Sequence, residues 1–283
     1  MKILVLGSSG MIGHTMFNVL AQRSDWQVSG SVRAKSFNSA APGPVLMGID
    51  LANPDHLVRL FLKAKPNVVV NCAGLTRHLP DGNDLVSALL MNTLLPHRLA
   101  ELCAISGARL IHVSTDCVFS GQAGNYREED ATDATDVYGK TKALGEVTDY
   151  NMLTLRTSTI GHESGTSFGL LEWFMAQHKC NGFRHAIFSG LPTIEFARIV
   201  RDIVIPDASL SGLYHAGASP IDKLSLLQLI ANVYKRDTAI IAEDEFHIDR
   251  SLNSDKFADA TGYRAPAWPE LIEAMYQDHL YRK

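Results

Sequence analysis

Near the N-terminus, the apolar run Lys2-Ile-Leu-Val-Leu6 leads directly into Gly7-Ser-Ser-Gly10-Met-Ile-Gly13, and an amphipathic stretch follows from His14 to Gln22. This order predicts a strand, a glycine turn and the start of a helix. Glycine at such a turn can adopt a positive φ and lets the backbone approach a pyrophosphate, which the N–H groups of a helix N-terminus stabilise. The turn therefore predicts a dinucleotide site, although a tight turn without a ligand can have the same spacing.

Composition and charge narrow the class of protein. The chain has 283 residues, 46% of them apolar, and no run of about 18 apolar residues. It begins with a strand pattern rather than a signal core, so we expect no export signal and a cytoplasmic location. The four cysteines lack zinc-ligand spacing, so we predict reduced thiols and no metal site. A net charge of −4 gives no basic field for nucleic acid or a membrane, so a small polar ligand is favoured.

Apolar runs alternate with helical patterns through the first half of the chain. This alternation predicts an α/β fold with a Rossmann-type, doubly wound parallel sheet over residues 1–155, and ligands at the carboxyl ends of its strands. The predicted strands are Ile3–Leu6, Gln27–Val32, Val45–Met47, Asn67–Asn71, Arg109–Val113 and Met152–Leu155. The predicted helices are Met11–Gln22, Pro54–Ala64, Asp84–Ser106 and Asp136–Tyr150.

The alternation fades after about Leu155, where glycines and prolines interrupt it. We interpret residues 156–283 as a smaller C-terminal substrate lobe, partly threaded with the main sheet. Its clearest features are two predicted helices, Thr193–Ile205 and Lys223–Tyr234.

The end of the second strand usually decides between the two nicotinamide cofactors, because an acidic side chain there would hydrogen-bond the adenosine ribose. This chain has Ser31-Val-Arg33-Ala-Lys35 and no acid. Arg33 can pair with a 2′-phosphate, and no carboxylate repels that group. The segment predicts NADP(H) over NAD(H), with a solvated basic loop as the alternative.

The next two strand ends also carry candidate cofactor contacts. Asp50, followed by Leu51, can accept a hydrogen bond from the adenine amino group, or it can cap a turn. The small residues Cys72, Ala73 and Gly74 follow the fourth strand and let the backbone pass close to the cofactor. A buried packing turn is the competing interpretation of these three residues.

Tyr138 and Lys142 are four residues apart and therefore share one face of a predicted helix, and Thr115 lies at a predicted strand end upstream. A phenol is a weak acid near neutrality, but an ammonium beside it favours the phenolate and lowers its pKa toward the working range. Thr115 would hydrogen-bond the oxygen of a carbonyl or carbinol substrate. The trio predicts proton-transfer chemistry, whereas an isolated Tyr/Lys pair would be an ordinary solvated helix pair.

These motifs carry a resemblance to a known family. They are Val113-Ser-Thr-Asp-Cys-Val-Phe-Ser-Gly121, Tyr126-Arg-Glu-Glu-Asp130, Tyr138-Gly-Lys-Thr-Lys142-Ala-Leu-Gly-Glu146, Leu155-Arg-Thr-Ser158, Gly212-Leu-Tyr-His215 and Ser251-Leu-Asn-Ser-Asp-Lys-Phe257. Over essentially its whole length the chain resembles the extended short-chain dehydrogenase/reductases and, within them, the dTDP-4-dehydrorhamnose reductase group of nucleotide-sugar reductases. The resemblance implies NADPH-dependent reduction of the 4-keto group of a nucleotide-linked deoxyhexose, in surface polysaccharide or deoxysugar biosynthesis.

The same resemblance implies roles for individual residues. Tyr138 would donate the proton, Lys142 would bind the nicotinamide ribose and tune Tyr138, and Thr115 would orient the reacting oxygen. Asp116 would contact the sugar. The pyrophosphate and the rest of the cofactor would lie along Gly10, Met11, Ile12, Gly13, Cys72, Ala73 and Gly74.

The chain departs from the group at two positions that should border the sugar. Cys117 stands where the rhamnose-pathway members usually carry an aromatic residue, and Thr159 stands where they usually carry Trp. Another activated deoxyhexose, such as a UDP-linked N-acetylated one, is therefore at least an equal candidate for the substrate.

Two alternative functions remain open at this stage. Cys117 lies two residues beyond Thr115, and His162 follows Gly161, as in the related epimerase-reductase GDP-fucose synthase, so this pair could exchange protons beside the ketone. A small buried Cys and a loop His would explain the same residues. Some members of this fold instead serve as dinucleotide-binding sensors or regulatory subunits. The long helices beside the sheet also leave a homodimer open.

Overall fold

The computed structural model describes residues 1–37, 43–77, 84–149, 151–163 and 168–282. Its strands are β1 (Lys2–Leu6), β2 (Gln27–Ser31), β3 (Val45–Leu46), β4 (Val68–Asn71), β5 (Arg109–Thr115), β6 (Met152–Thr157), β7 (Thr159–Ile160), β8 (Lys179–Phe188), β9 (Leu191–Pro192), β10 (Gly212–His215), β11 (Ile221–Asp222) and β12 (Ala239–Asp249). Its helices are α1 (Met11–Leu20), α2 (Pro54–Ala64), α3 (Leu85–Ala88), α4 (Leu95–Ser106), α5 (Val137–Leu144), α6 (Leu170–Met175), α7 (Thr193–Ile199), α8 (Lys223–Val233), α9 (Asp255–Thr261) and α10 (Trp268–Arg282).

Seven parallel strands form the central sheet in the order β10-β6-β5-β4-β1-β2-β3. The strand order reverses beside β1, so the carboxyl ends of β1 and β4 border the crevice where ligands bind in such sheets. The predicted α/β fold is confirmed, and each of the six predicted strands is present. β5 and β6 each run two residues further than predicted, which places Thr115 at the last position of β5.

Alternating side chains of β1 enter two separate cores. Ile3 and Val5 pack into one hydrophobic cluster, and Leu4 and Leu6 pack into a second one that contains Leu57. All four strand side chains are buried. Because both faces of the sheet are covered, β1 is continuously apolar, as expected for a central parallel strand.

The helix predicted at Pro54–Ala64 has those bounds in the structure because both of its ends are encoded locally. Asn53 caps its N-terminus through a 2.9 Å hydrogen bond from the N–H of Asp55, and Pro54 fits the first turn, where its missing N–H does no harm. Lys65 ends the helix with a φ of 44°.

Two other helix predictions need correction. The helix predicted from Asp84 to Ser106 contains a wider π-helical turn at Leu89–Leu94, between α3 and α4. The helix predicted from Asp136 to Tyr150 stops at Leu144, and Gly145, which follows it, lies against the backbone carbonyl of Asn92. Tyr150 is outside the described residues.

Elements of the second half of the chain pack against the first half. β10 joins the main sheet beside β6, and α7 packs on α1, where Thr15 and Thr193 approach within 3.3 Å. The predicted helix Thr193–Ile205 is α7 plus a π-helical turn, and Lys223–Tyr234 is α8. A three-stranded sheet, β11-β8-β12, and helices α9 and α10 were not predicted. The domain boundary near residue 155 stays a prediction.

Candidate active site

The glycine turn after β1 is shaped by two close contacts. Gly7 has a φ of 74°, and a side chain there would come within 3.0 Å of the backbone of Ala73, at the end of β4. A side chain at Gly13 would overlap the carbonyl oxygen of Gly7. Glycine is therefore required at both positions, because the turn must fold back on α1 and lie against the neighbouring strand end.

The N-terminus of α1 fits the pyrophosphate of a dinucleotide. Gly10 occupies the N-cap and provides no side-chain cap, and none of the residues in the first turn, including Met11, Ile12 and Gly13, is acidic. The first N–H groups of a helix lack partners within the helix, and its positive end favours an anion. These features of the ten-residue helix α1 match the chemistry of a bound diphosphate.

The residues predicted near the adenosine follow β2 and β3. Arg33 and Lys35 are exposed after β2, where they can meet a phosphate. Asp50 is also exposed, and its carboxylate accepts a 3.0 Å hydrogen bond from the N–H of Ala52, which is the turn role that the sequence left open. Leu51 packs in the hydrophobic core. The contacts of Arg33, Asp50 and Leu51 with a cofactor stay predictions.

The predicted cofactor residues after β4 lie close to the glycine turn and to Lys142. Ala73 is buried against Gly7, and a side chain at Gly74 would crowd the Asn92 amide oxygen. Burial raises the pKa of the Cys72 thiol to about 12, and the charge of Lys142 partly opposes that rise. Cys72 is therefore a neutral thiol that packs beside the site.

The predicted catalytic groups meet at the carboxyl end of β5. Thr115 is buried, and its hydroxyl donates to the Asp116 carboxylate at 3.1 Å and accepts from the Cys117 N–H at 3.1 Å. Tyr138 is half-buried and lies close enough to Thr115 for that hydroxyl to lower the pKa of the phenol. The helix that carries Tyr138 can approach Cys117 because Gly139 has no side chain. A side chain there would overlap the Cys117 carbonyl.

The tuning of Tyr138 by Lys142 stays a prediction, because the burial of the phenol acts in the opposite direction. Burial raises the pKa of Tyr138 well above its usual range, and the nearby Cys117 adds to the rise. Lys142 is buried and directs its ammonium to the carbonyl oxygen of Val113, at 2.8 Å. Burial lowers the pKa of Lys142 to about 8, against the opposing charge of Glu146. Tyr138 is thus fully protonated at neutral pH.

Asp116, expected to contact the sugar, is also buried. Burial raises the pKa of its carboxyl group, while Thr115, Arg250 and Lys223 oppose the rise. Burial lowers the pKa of Lys223 to about 8 in turn, and the charge of Asp116 raises it. A carboxyl group next to Thr115 and an ammonium therefore lie close enough to influence each other, and groups of both kinds can hydrogen-bond sugar hydroxyls.

Two arginines that the sequence did not single out converge on Cys117. Arg77 donates to the Cys117 sulfur at 3.2 Å, and Arg250 approaches the same atom at 3.8 Å. Burial nevertheless raises the pKa of the Cys117 thiol to about 11, helped by the charge of Asp116. Cys117 is therefore a neutral thiol near neutral pH, which weakens its candidacy as an acid/base group.

Asn92 is a second site residue that the sequence did not reveal. It lies in the π-helical turn and is buried. Its amide accepts from the Leu75 N–H at 2.8 Å and donates to the Leu75 carbonyl at 3.0 Å and to the Thr141 hydroxyl at 3.1 Å. Asn92 therefore ties the segment after β4 to the helix that carries Tyr138. No sequence signal within the predicted long helix distinguished this position.

A buried polar network explains why five of the sequence motifs occur together. Arg156 makes two 2.8 Å hydrogen bonds to the Glu146 carboxylate, and Ser114 donates to the same carboxylate at 2.7 Å. Arg156 also donates to His215, whose other ring nitrogen donates to the carbonyl of Tyr126. Burial and the charge of Arg156 lower the pKa of His215 to about 3, so this histidine is neutral.

The structure does not join the two residues of the epimerase alternative. The ring nitrogens of His162 contact the Glu172 carboxylate at 2.8 Å and the Tyr234 hydroxyl at 2.9 Å, and its ring stacks on His279. These partners lie on α6, at the C-terminal end of α8 and on α10, whereas Cys117 contacts two arginines. The alternative is therefore not favoured.

Thr159 is half-buried on β7, where it pairs with Leu191 of β9. Its contact with a sugar stays a prediction.

Within the ranges that the structure describes, no group of three or more His, Cys, Asp and Glu side chains could hold a metal ion. Across those same ranges, no helix is both long enough and apolar enough to cross a membrane.

Several known sequences are similar to this chain. The model of the RmlD substrate binding domain family matches residues 1–280. A dTDP-4-dehydrorhamnose reductase of Aggregatibacter actinomycetemcomitans is 26% identical over 230 residues, 77% of this chain and 74% of that protein. One of Burkholderia thailandensis is 34% identical over 173 residues, 59% of this chain and 53% of that protein. Methionine adenosyltransferase 2 subunit beta of Bos taurus is 30% identical over 145 residues, 51% of this chain and 41% of that protein.

Solved structures share the fold. A dTDP-4-dehydrorhamnose reductase of Clostridium acetobutylicum has a TM-score of 0.81 and 21% identity, covering 99% of this chain and 100% of that one. The Bacillus anthracis reductase in complex with NADP has a TM-score of 0.81 and 16% identity, covering 98% and 99%. The Bordetella bronchiseptica enzyme WbmG in complex with NAD and UDP has a TM-score of 0.81 and 17% identity, covering 99% and 95%. The resemblance drawn from the motifs is confirmed.

Proposed function

This chain belongs to the RmlD substrate binding domain family, and we propose that it catalyses the NADPH-dependent reduction of the 4-keto group of a nucleotide-linked deoxyhexose. The observation that carries the proposal is the position of a protonated Tyr138 close to Thr115 at the end of β5, one helical turn from Lys142. The neighbouring glycine turn supports a dinucleotide as the second reactant. We expect the enzyme to act in the cytoplasm, in the synthesis of surface polysaccharide or other deoxysugars.

Each side chain has its own role in the proposed reaction. The nicotinamide, when bound, supplies a hydride to the carbonyl carbon. Thr115 holds the carbonyl oxygen, and the Tyr138 hydroxyl donates its proton to that oxygen as negative charge develops there. The O–H bond of Tyr138 breaks, the O–H bond of the product alcohol forms, and the phenolate regains a proton from solvent with the help of Lys142. The high pKa of Tyr138 suits this direction, because it keeps the donor protonated before the reaction.

The preference for NADP(H) over NAD(H) is part of the proposal. It rests on the exposed Arg33 and Lys35 after β2, where an acidic residue would otherwise favour a free ribose. The related structures do not decide the matter, since one was solved with NADP and another with NAD.

The sugar and its nucleotide are proposed at the level of a class. Two relatives are dTDP-4-dehydrorhamnose reductases. Cys117 and Thr159 leave more room beside the sugar than the aromatic residues usual in that group, so a UDP-linked N-acetylated deoxyhexose is an equal candidate. A panel of freshly generated 4-ketosugar nucleotides should therefore include dTDP- and UDP-linked members, with NADPH oxidation followed at 340 nm and the product identified by NMR.

Tyr138→Phe tests the proposed proton donor. We expect turnover to fall about 10²- to 10⁴-fold, the usual contribution of a general acid, with the dissociation constant of NADPH changed less than about twofold. Tyr281→Phe makes the same chemical change at a tyrosine whose side chain is exposed, and it should behave like the parent chain. Near-normal turnover of Tyr138→Phe would remove Tyr138 from this role.

A regulatory subunit is the rival of another class, and one relative is named as a subunit of methionine adenosyltransferase 2. It is less favoured, because this chain has a complete Thr115, Tyr138 and Lys142 set. Oxidation of NADPH that depends on a 4-ketosugar nucleotide supports the reductase. Tight NADPH binding without turnover of any sugar in the panel supports the regulatory subunit.

A further inference from the structure

One positive charge close to the ring of Tyr138 comes from a loop rather than from its own helix. Arg77 follows β4, and the carbon of its guanidinium lies 5.8 Å from the centre of the Tyr138 ring. The same group donates to the Cys117 sulfur at 3.2 Å and lies 3.9 Å from the Asp136 carboxylate. Asp136 caps α5 through a 2.7 Å hydrogen bond from Gly139. Contacts with three residues therefore hold the guanidinium beside the proton donor.

A cation is needed there because proton transfer leaves a phenolate in unfavourable surroundings. Burial opposes negative charge on Tyr138, and the nearby Cys117 and Asp116 oppose it further. Two described groups act in the opposite direction, the Thr115 hydroxyl and the charge of Arg77. A guanidinium near an aromatic ring is attracted to it, and the attraction increases when the ring oxygen becomes negative.

The other charged groups near Tyr138 are engaged elsewhere. On α5, Lys142 donates to the carbonyl of Val113. Arg250, which approaches Cys117, donates to the carbonyl of Phe119 at 2.8 Å. The charge of Lys223, on α8, acts on Asp116.

We propose that Arg77 is a positioning residue for the reaction, which holds a positive charge over Tyr138 and stabilises the phenolate left when Tyr138 gives up its proton. This role rests on the proposed reductase function and deepens it. Arg77 acts through Tyr138, so its loss should lower kcat more than it raises the KM of the sugar or of NADPH.

The test compares Arg77→Ala, Arg77→Lys and the control Lys140→Met, which removes an exposed cation from the same helix as Tyr138. We expect Arg77→Ala to lower kcat by about tenfold or more, which corresponds to one pKa unit. Arg77→Lys should retain most of the parent kcat. Lys140→Met should match the parent. Equal melting temperatures would show that the variants fold alike, as expected for a side chain that is 38% exposed.

Chemical rescue separates a charge effect from a structural one. Guanidinium at about 50 mM can enter the space left in Arg77→Ala and should restore kcat several-fold, whereas the same concentration of urea, which is neutral and similar in shape, should not. The inference is overturned if Arg77→Ala keeps the parent kcat, if only the KM of the sugar changes, or if urea restores activity as well as guanidinium does.

The outcomes also separate this inference from the proposed function. A parent chain that reduces no sugar in the panel would overturn the reductase function and the role of Arg77 together. An active parent that requires Tyr138, combined with an Arg77→Ala variant of unchanged kcat, would overturn the role of Arg77 alone.

Discussion

Breaking the buried ion pair between Glu146 and Arg156 should destabilise the fold far more than breaking an exposed pair. The two side chains are 9% and 4% exposed and make two hydrogen bonds of 2.8 Å. Arg156→Met leaves the Glu146 carboxylate buried with only Ser114 as a donor. Loss of one partner of such a pair lowers the free energy of unfolding by about 3–5 kcal/mol. At roughly 2 °C per kcal/mol for a chain of this size, the melting temperature should fall by about 6–10 °C.

The assay is a double-mutant cycle with Arg156→Met, Glu146→Gln and the double variant. Unfolding in urea is followed by circular dichroism and by tryptophan fluorescence, and coincident curves establish that a single free energy applies. The double variant removes both charges, so it should lose less stability than the sum of the single variants, by about 2–3 kcal/mol.

Arg184→Met is the matched control for this cycle. Arg184 pairs with Asp244 at 3.1 Å, but both side chains are more than half exposed. Solvent screening limits such a pair to about 0–1 kcal/mol. The reasoning is refuted if Arg156→Met costs no more than Arg184→Met, or if the two single effects at Glu146 and Arg156 simply add.

Three further predictions concern the cofactor site. Gly13→Ala should weaken NADPH binding at least about tenfold in a fluorescence titration, because the new side chain would overlap the Gly7 carbonyl; unchanged affinity would contradict the packing of the turn. Lys142→Met should melt above the parent at pH 7, because burial lowers the pKa of Lys142 to about 8 and its ammonium is destabilising below that pH. That advantage should shrink as the pH rises through 8 and vanish near 10.5, where the unfolded chain also loses the proton; a gap independent of pH would contradict it. Arg33→Asp should reverse the ratio of kcat/KM for NADPH over NADH, and an unchanged ratio would count against the assignment.

The first half of the fold was predictable because its signals are local. The apolar run of β1, the glycine turn and the Asn53-Pro54 start of α2 each specify an element without distant partners. The strands β8 and β12 were missed for the opposite reason. They pair with each other across about 60 residues, and β12 is mostly exposed, so neither an apolar run nor a turn marks it.

The candidate site was predictable in part. The spacing of Tyr138 and Lys142 placed both on α5, and the end of β5 brought Thr115 to them. The spacing did not predict where the ammonium points, because the Val113 carbonyl competes for it. Arg77 could not be foreseen, since its contact with Tyr138 depends on the course of the segment after β4 rather than on any helical period.

The buried charges around Tyr138 also bear on the choice between an enzyme and a regulatory subunit. Burial lowers the pKa of both Lys142 and Lys223 to about 8, so each ammonium destabilises the fold at neutral pH. Binding a dinucleotide requires the glycine turn and α1, but it gives no reason to place a buried Asp116 and a half-buried Lys223 near each other beside Thr115. A sugar that hydrogen-bonds these groups while it receives a proton at the end of β5 does give one. The placement of destabilising polar groups therefore favours the reductase.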